Sequence, residues 1–243
     1  MNPKPRQVLV FQHIDVEHPG IFRDFLAEDG ITWRPVELDA GEPIPDLREF
    51  DALWVMGGPM DVWQEDAHPW LVAEKCAIRE AVIDLHLPYL GFCLGHQLLG
   101  AALGGKVGLA AEREVGIMPV ELTAAGRASG FLAGMPQAFD VLQWHSAEVS
   151  VPPPGAAVLA SSPRCAVQAM SCGGHAFSMQ FHLEITRTTV ADWNAVPEYC
   201  EALLATLGAG GADRLEAEAR ARARTFNDLA RRLYTNWKAH AWK

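Results

Sequence analysis

The stretch Pro88-Tyr89-Leu90-Gly91-Phe92-Cys93-Leu94-Gly95-His96-Gln97-Leu98-Leu99-Gly100 constrains the fold more than any other part of the chain. An apolar run enters from Pro88, meets a cysteine with a glycine two residues away on either side, and leaves as an apolar, helix-like segment. This is the pattern of a nucleophile elbow, a sharp strand-to-helix turn that lifts one reactive side chain above a sheet. The apex residue sits in strained backbone, and its neighbours must be small for strand and helix to approach. A helix beginning near Leu94 aims free amides and its positive end at the sulfur, which favours thiolate over thiol. Most free cysteines are buried apolar side chains and nothing more. The paired glycines and the strand-then-helix setting mark Cys93 as a candidate nucleophile.

The segments around the elbow predict an α/β fold. Val8 to Phe11 reads as a buried strand, and Pro19 suits the first turn of a helix whose apolar stripe is Phe22, Phe25 and Leu26, with Gly30 as its stop. Ile31 to Leu38 reads as a second strand, and Ala52 to Met56 as a third that runs into Gly57-Gly58-Pro59. His68-Pro69 then opens a helix with the stripe Leu71, Ile78, Val82 and Leu85. This alternation predicts a single open, mostly parallel, flavodoxin-like sheet with helices on both faces. Past Gly104-Gly105, short β-like pieces at Val115–Leu122, Phe139–Trp144, Ala157–Ala160, Ala166–Met170 and His175–Phe181 predict a small antiparallel portion. Ala212 to Trp242 reads as a long helix with the stripe Leu215, Ala219, Phe226, Leu229, Leu233 and Trp237. It is expected to pack on its own domain, a homodimer contact through the same stripe being the alternative. With no repeat and no low-complexity linker, residues 1–243 are expected to form one domain, its core about 7–208 and its helical extension about 212–242.

Bulk properties exclude several classes. A net charge of −10 argues against nucleic acid as a partner. No apolar run approaches the ~18–20 residues of a membrane span, and the start, Met1 to Arg6, leads to only the four apolar residues Val8 to Phe11, too few for a signal-peptide core. Five cysteines, an odd number without a C-x-x-C pair, predict reduced thiols and a cytoplasmic protein.

A cysteine nucleophile needs a base and a group to orient that base. Nine histidines are present, and His182 stands out because Glu184 follows it two residues later at the end of a β-like run. At strand spacing the two side chains leave one face, so the carboxylate can hold the imidazole. The H-x-E string lacks the P-C-x-x-C partner of zinc deaminases, so no metal is expected. Gly58 follows an apolar strand with its amide free to meet a developing oxyanion, and the amide of Leu94 is the matching second donor. Asp61 to His68 reads as a solvated capping loop rather than the pocket mouth, and Glu112-Arg113-Glu114 as a charged strand edge.

Together these stretches resemble the class I (triad) glutamine amidotransferases. Gly91-Phe92-Cys93-Leu94-Gly95-His96-Gln97 is similar to the family's G-x-C-x-G-x-Q elbow, and Gln180-Phe181-His182-Leu183-Glu184 to its Q-F-H-P-E segment, with Leu183 in place of proline. Met56-Gly57-Gly58-Pro59 resembles the oxyanion strand of GMP synthase glutaminase domains, and Trp144-His145-Ser146 the family's turn beside the substrate. The resemblance spans roughly Val8 to Val190. It implies Cys93 as nucleophile, His182 as base then acid, Glu184 as orienter, and an oxyanion hole from Gly58 and Leu94. It further implies substrate contacts from Gln97, Trp144, His145 and Ser146, and no cofactor. No G-x-x-x-x-G-K-[ST] loop is present, so an ammonia-accepting synthetase would be a separate partner. The resemblance is closest to stand-alone GMP-synthase-glutaminase-like proteins, a group that includes γ-glutamyl peptidases. Three readings stay open: a glutaminase feeding a partner, a free-standing γ-glutamyl hydrolase, and a non-catalytic regulatory protein on the same scaffold.

Overall fold

A computed structural model describes residues 5–242, so the reading of Met1 to Lys4 lies outside the described residues. The strands are β1 (Gln7–Gln12), β2 (Thr32–Glu37), β3 (Ala52–Val55), β4 (Tyr89–Phe92), β5 (Lys106–Leu122), β6 (Ala138–Val151), β7 (Ala156–Ser161), β8 (Ala169–Cys172) and β9 (Ala176–Met179). They form one sheet in the order β2-β1-β3-β4-β9-β8-β7-β5-β6. The pairs from β2 through β9 are parallel, and those from β9 through β6 are antiparallel. The α/β architecture is as expected, but mixed is the more exact description of its sheet.

The parallel half explains the apolar runs. β1, β3, β4 and β9 are covered on both faces, so successive residues all lie inside, with alternate ones entering opposite cores. Val8, Val10, Trp54 and Phe92 point to one core; Leu9, Phe11, Leu53 and Val55 point to the other. The first is covered by α1 (Phe22–Glu28) and the C-terminal α7 (Gly211–Ala241), the second by α2 (Trp70–Arg79) and α3 (Leu94–Ala102). Pro35 sits in β2, the edge strand, where its missing N–H interrupts no interior ladder. Helix α1 begins at Phe22 rather than at Pro19, because Gly20 takes a left-handed turn at φ +50° between them. Among the described residues, no helix is long and apolar enough to cross a membrane.

The antiparallel half extends beyond the sequence expectation. β5 runs from Lys106, not Val115, and β6 continues past Trp144 to Val151, so Trp144, His145 and Ser146 lie within a strand instead of a turn. The two form a ribbon whose outer part is solvated, which is why apolar alternation did not mark it. Its register shifts between Leu109 and Glu114. A lone antiparallel bridge from Leu142 to His182 then curls the far edge of the sheet back toward the end of β9. Three further helices, α4 (Ala124–Ala128), α5 (Thr189–Asn194) and α6 (Pro197–Leu207), connect these parts. Helix α6, which the sequence reading did not mark, has Pro197 in its first turn, where a missing N–H breaks no helical bond.

The α7 stripe is seated within the chain's own fold, so it is not free for a contact between copies. Leu215, Phe226, Leu233 and Trp237 are buried, and Trp237 Nε1 donates to Tyr89 O at 3.0 Å, behind the elbow strand. Its ring stands edge-on to Trp54 at 5.4 Å. Trp237→Ala empties this site and removes one hydrogen bond to the Tyr89 carbonyl, and is expected to cost about 3–5 kcal/mol. Urea unfolding of the variant checks this, with a lowered midpoint and an unchanged slope as the expected result.

Candidate active site

Parallel strands deliver their carboxyl ends to one side of the sheet, where open α/β folds place their ligand crevices. The segments leaving β1, β3, β4 and β9 therefore meet there and bring Glu17, Gly58, Cys93 and His182 together across the sequence. Cys93 follows β4 as the N-cap of α3, at φ +48° and ψ −101°, a conformation that L-residues rarely adopt. Its amide donates to Met179 O at 2.9 Å, which ties the apex to β9. The flanking glycines are required by close approach. A Cβ on Gly95 would lie 2.1 Å from Val55 O, and one on Gly91 would lie 2.8 Å from Gly95 O. The sulfur lies at the first turn of α3, and Gln180 Nε2 donates to it at 3.4 Å.

His182 and Glu184 stand beside the sulfur. His182 Nδ1 donates to Glu184 Oε1 at 2.5 Å, and both side chains are buried. The His182 N–H is fixed to Leu142 O at 2.9 Å, and its ring meets the edge of Trp193 at 4.5 Å. Burial works against the imidazolium, yet the Glu184 charge, the adjoining Cys93 thiol and the Glu184 hydrogen bond hold it well above the ordinary histidine range. Behind them, Ile21 N donates to Glu184 O at 2.8 Å. Cys93, His182 and Glu184 are thus gathered into one buried group at the carboxyl ends of β4 and β9, with the thiol also 3.9 Å from Trp144 O.

Gly58 and Leu94 flank the sulfur from the β3 and α3 sides, and a Cβ on Gly58 would lie 2.9 Å from a Leu94 methyl group. Among the described residues neither amide has a protein acceptor, leaving both free to face a bound oxygen. The preceding carbonyl is fixed by a group the sequence did not single out. His13 donates from Nδ1 to Gly57 O at 2.7 Å and from Nε2 to Glu74 Oε1 at 2.8 Å, and its ring stacks on Trp70. Burial opposes the charge on His13, but Glu74 and the Gly57 carbonyl raise it above the usual value.

Cys93, Gly58, Leu94, Gln97, Trp144, His145 and Ser146 all line one pocket of about 80 Å³. Met60 and Asp61 line it as well, so the start of the Asp61–His68 loop is part of the mouth, while Trp63 points out to solvent. Gln97 Nε2 is committed to Ala147 O and Gln180 Oε1, both at 3.1 Å, which leaves its carbonyl oxygen for a ligand. His145 is engaged at both ring nitrogens, by Ala147 O and by Glu114 Oε2, each at 3.0 Å. Its role here is to brace β6. Glu114 is accordingly buried, accepting from Gln168 and Ser162 too, so only Glu112 and Arg113 of that run form a charged strand edge. His96 in the elbow is fully buried; burial brings it down to about 3, so the neutral ring bridges Ser178 and Val167.

Helix α6 closes the far wall with Glu198, Tyr199 and Ala202. Tyr199 belongs to an aromatic group with Trp144 and Trp193, and its hydroxyl donates to Glu17 Oε1 at 2.6 Å. One donor atom from each of Glu17, His182 and Glu184 lies within 4.8 Å of the others, the one such metal-ligand-like group among the described residues. Since Glu184 already engages His182 Nδ1, the group reads as two acids around an imidazole rather than an open cation site. All five cysteines are free, and burial pushes Cys165 and Cys172 up, the latter to about 11.

The sequence model described as "Glutamine amidotransferase class-I" matches residues 26–192. A subunit of the glutamine-hydrolyzing GMP synthase of Saccharolobus solfataricus is 36% identical over 149 residues, covering 60% of this chain and 74% of that protein. Gamma-glutamyl peptidase 5 of Arabidopsis thaliana is 29% identical over 173 residues, covering 69% of this chain and 68% of that protein. A crystal structure of a glutamine amidotransferase from Thermotoga maritima superposes with a TM-score of 0.86 at 25% identity, covering 99% of this chain and all of that one. With a match over more than half its length, this chain belongs to the class-I glutamine amidotransferase family.

Proposed function

We propose that this protein is a cysteine amidohydrolase that cleaves the γ-carboxamide of glutamine or a related γ-glutamyl substrate through a γ-glutamyl thioester. The observation that carries this reading is the His182–Glu184 bond of 2.5 Å beside a strained Cys93 that lines a pocket. His182 takes the Cys93 proton, and the thiolate attacks the γ-carbonyl carbon. The Gly58 and Leu94 amides receive the oxyanion of the tetrahedral intermediate. Imidazolium then protonates the nitrogen, the C–N bond breaks, and ammonia or an amine leaves the thioester behind. His182 next takes a proton from water, hydroxide adds to the acyl carbon, and glutamate departs as Cys93 regains its proton. Glu184 orients the ring throughout.

In this reading Gln97 meets the polar groups at the α-carbon through its free carbonyl oxygen, with Ser146 beside it. Trp144 walls the pocket, and His145 acts through β6. The whole chain works as one domain in a reducing cytoplasm, with no cofactor. Because the Saccharolobus relative is by name only one part of a synthase, ammonia would pass to a separate synthetase.

A second reading keeps the chemistry and changes the leaving group, and the Arabidopsis relative favours it, since by name it is a γ-glutamyl peptidase. Here the protein is a free-standing γ-glutamyl hydrolase. A panel of glutamine, γ-glutamyl peptides and γ-glutamyl amines separates the two, with ammonia or amine release as readout. Turnover of glutamine above the other substrates is the expected result; turnover confined to larger leaving groups supports the second reading. Release that is unchanged in Cys93→Ala would contradict both.

A further inference from the structure

Glu17 is a buried acid at the base of the site that the reaction above leaves without a role. It lies in the segment after β1 and is 2% exposed. Its Oε1 accepts the Tyr199 hydroxyl at 2.6 Å, while Oε2 is buried with no partner among the described residues. The carboxylate is pressed against the oxyanion strand: a Cβ on Gly57 would come within 2.6 Å of Oε2. One of its oxygens lies within 4.8 Å of both a His182 ring nitrogen and a Glu184 oxygen.

The groups facing Glu17 come from every element around it. His13 leaves β1, Gly57 leaves β3, His182 and Glu184 follow β9, and Tyr199 stands on α6. His13 and His182 offer positive charge and Glu184 negative charge. Tyr199 is neutral, because burial and then Glu17 itself hold its phenol well above the usual range. Two buried acids side by side, one with an oxygen left unpaired, are costly inside a protein unless a cation stands beside them. The imidazolium of His182 is that cation.

We propose that Glu17 is a positioning residue for His182: its carboxylate, oriented by Tyr199, places a second negative charge beside the imidazole and stabilises the imidazolium that partners the Cys93 thiolate. The inference rests on the hydrolase reading above, because it assigns Glu17 to the thiolate–imidazolium pair. Glu184 makes the direct hydrogen bond and fixes the ring plane, and Glu17 acts through space. Burial and the Glu184 charge raise the Glu17 carboxyl above its ordinary range, while His182, Tyr199 and His13 draw it back. Its charge therefore arrives at higher pH than that of a surface acid and supports His182 toward the alkaline side. Tyr199 also lines the substrate pocket, so the wall formed by α6 is coupled to the charge on the base.

The test is an NMR titration of the His182 ring nitrogens in the full-length protein, in wild type, Glu17→Gln and Tyr199→Phe. An opposite charge within ~4–6 Å shifts a titration by about one to three pH units. In Glu17→Gln, His182 is expected to lose its proton about one pH unit or more below wild type. Tyr199→Phe, which removes the hydrogen bond that favours ionised Glu17, is expected to shift it the same way by less. A midpoint within ~0.2 pH units of wild type in both variants overturns the proposal. If Glu17→Gln does not fold, an unmoved midpoint in Tyr199→Phe alone overturns it. Iodoacetamide labelling of the wild type at about pH 6 separates this inference from its foundation. A Cys93 no more reactive than the exposed Cys76 overturns the hydrolase reading and this inference with it. A reactive Cys93 combined with an unmoved His182 overturns this inference alone.

Discussion

Replacing Gly95 by alanine is expected to destabilise the protein by about 3 kcal/mol or more, at the upper end of what overpacking costs. The added methyl would sit 2.1 Å from the carbonyl oxygen of Val55. Neither side can yield cheaply, since one belongs to central strand β3 and the other to the first turn of α3. The Gly95 amide is also bonded to Met56 O at 3.1 Å, so a retreating helix would break that contact as well. For a chain of this length, each kcal/mol is about 2–4 °C in melting temperature, which puts the fall at roughly 6–12 °C or more. Any folded fraction should lose activity too, because the shift moves Cys93 and the Leu94 amide away from Gly58. Gly108 is the control. It has open space around its Cβ position and no positive φ, so Gly108→Ala should stay within about 0.5 kcal/mol of wild type. Equal melting temperatures for the two variants would show that the elbow does not need its glycine.

Replacing Glu184 by glutamine is expected to lower kcat by on the order of 10³–10⁴ while leaving KM nearly unchanged. Glutamine keeps the shape but removes the charge, and at the Oε1 position it can present an amide N–H₂ donor to a ring N–H that needs an acceptor. The imidazole then loses both its orientation and the main support of its proton. The pH effect has a definite sign. Glu184 raises the His182 titration, so without it the imidazolium is lost at lower pH, and the alkaline limb of kcat/KM moves down. The substrate pocket is formed by other residues, which is why binding should persist. A variant with wild-type kcat and an unmoved alkaline limb would mean that another group orients His182.

Legibility in the sequence followed the range of the interaction. The elbow could be read because its requirements are local: an apex cysteine, small neighbours at two-residue spacing, and an apolar strand before it. His182 and Glu184 were legible for the same reason, being two residues apart. Glu17 was not, since its partner Tyr199 lies 182 residues away and meets it only because α6 folds across the carboxyl ends of β1 and β9. His13 and Glu74, 61 residues apart, were hidden likewise. Residues 106–114 of β5 carry too few buried side chains to show strand alternation, so the ribbon that presents Trp144 to the pocket appears only once β5 and β6 pair. His145 looked like a ligand-facing histidine, but pairing with Glu114 across that ribbon turns its ring into a brace.

The central claim is that Cys93, activated by His182, attacks a glutamyl γ-carbonyl. Its most direct test is the site of covalent capture by a chloroketone or diazoketone analogue of glutamine, located by mass spectrometry of the digested protein. The expected result is a single adduct on Cys93, blocked by competing substrate, retained slowly in Glu184→Gln and absent from Cys93→Ala. An adduct that persists in Cys93→Ala, or that forms only on Cys76 or Cys165, would contradict the account.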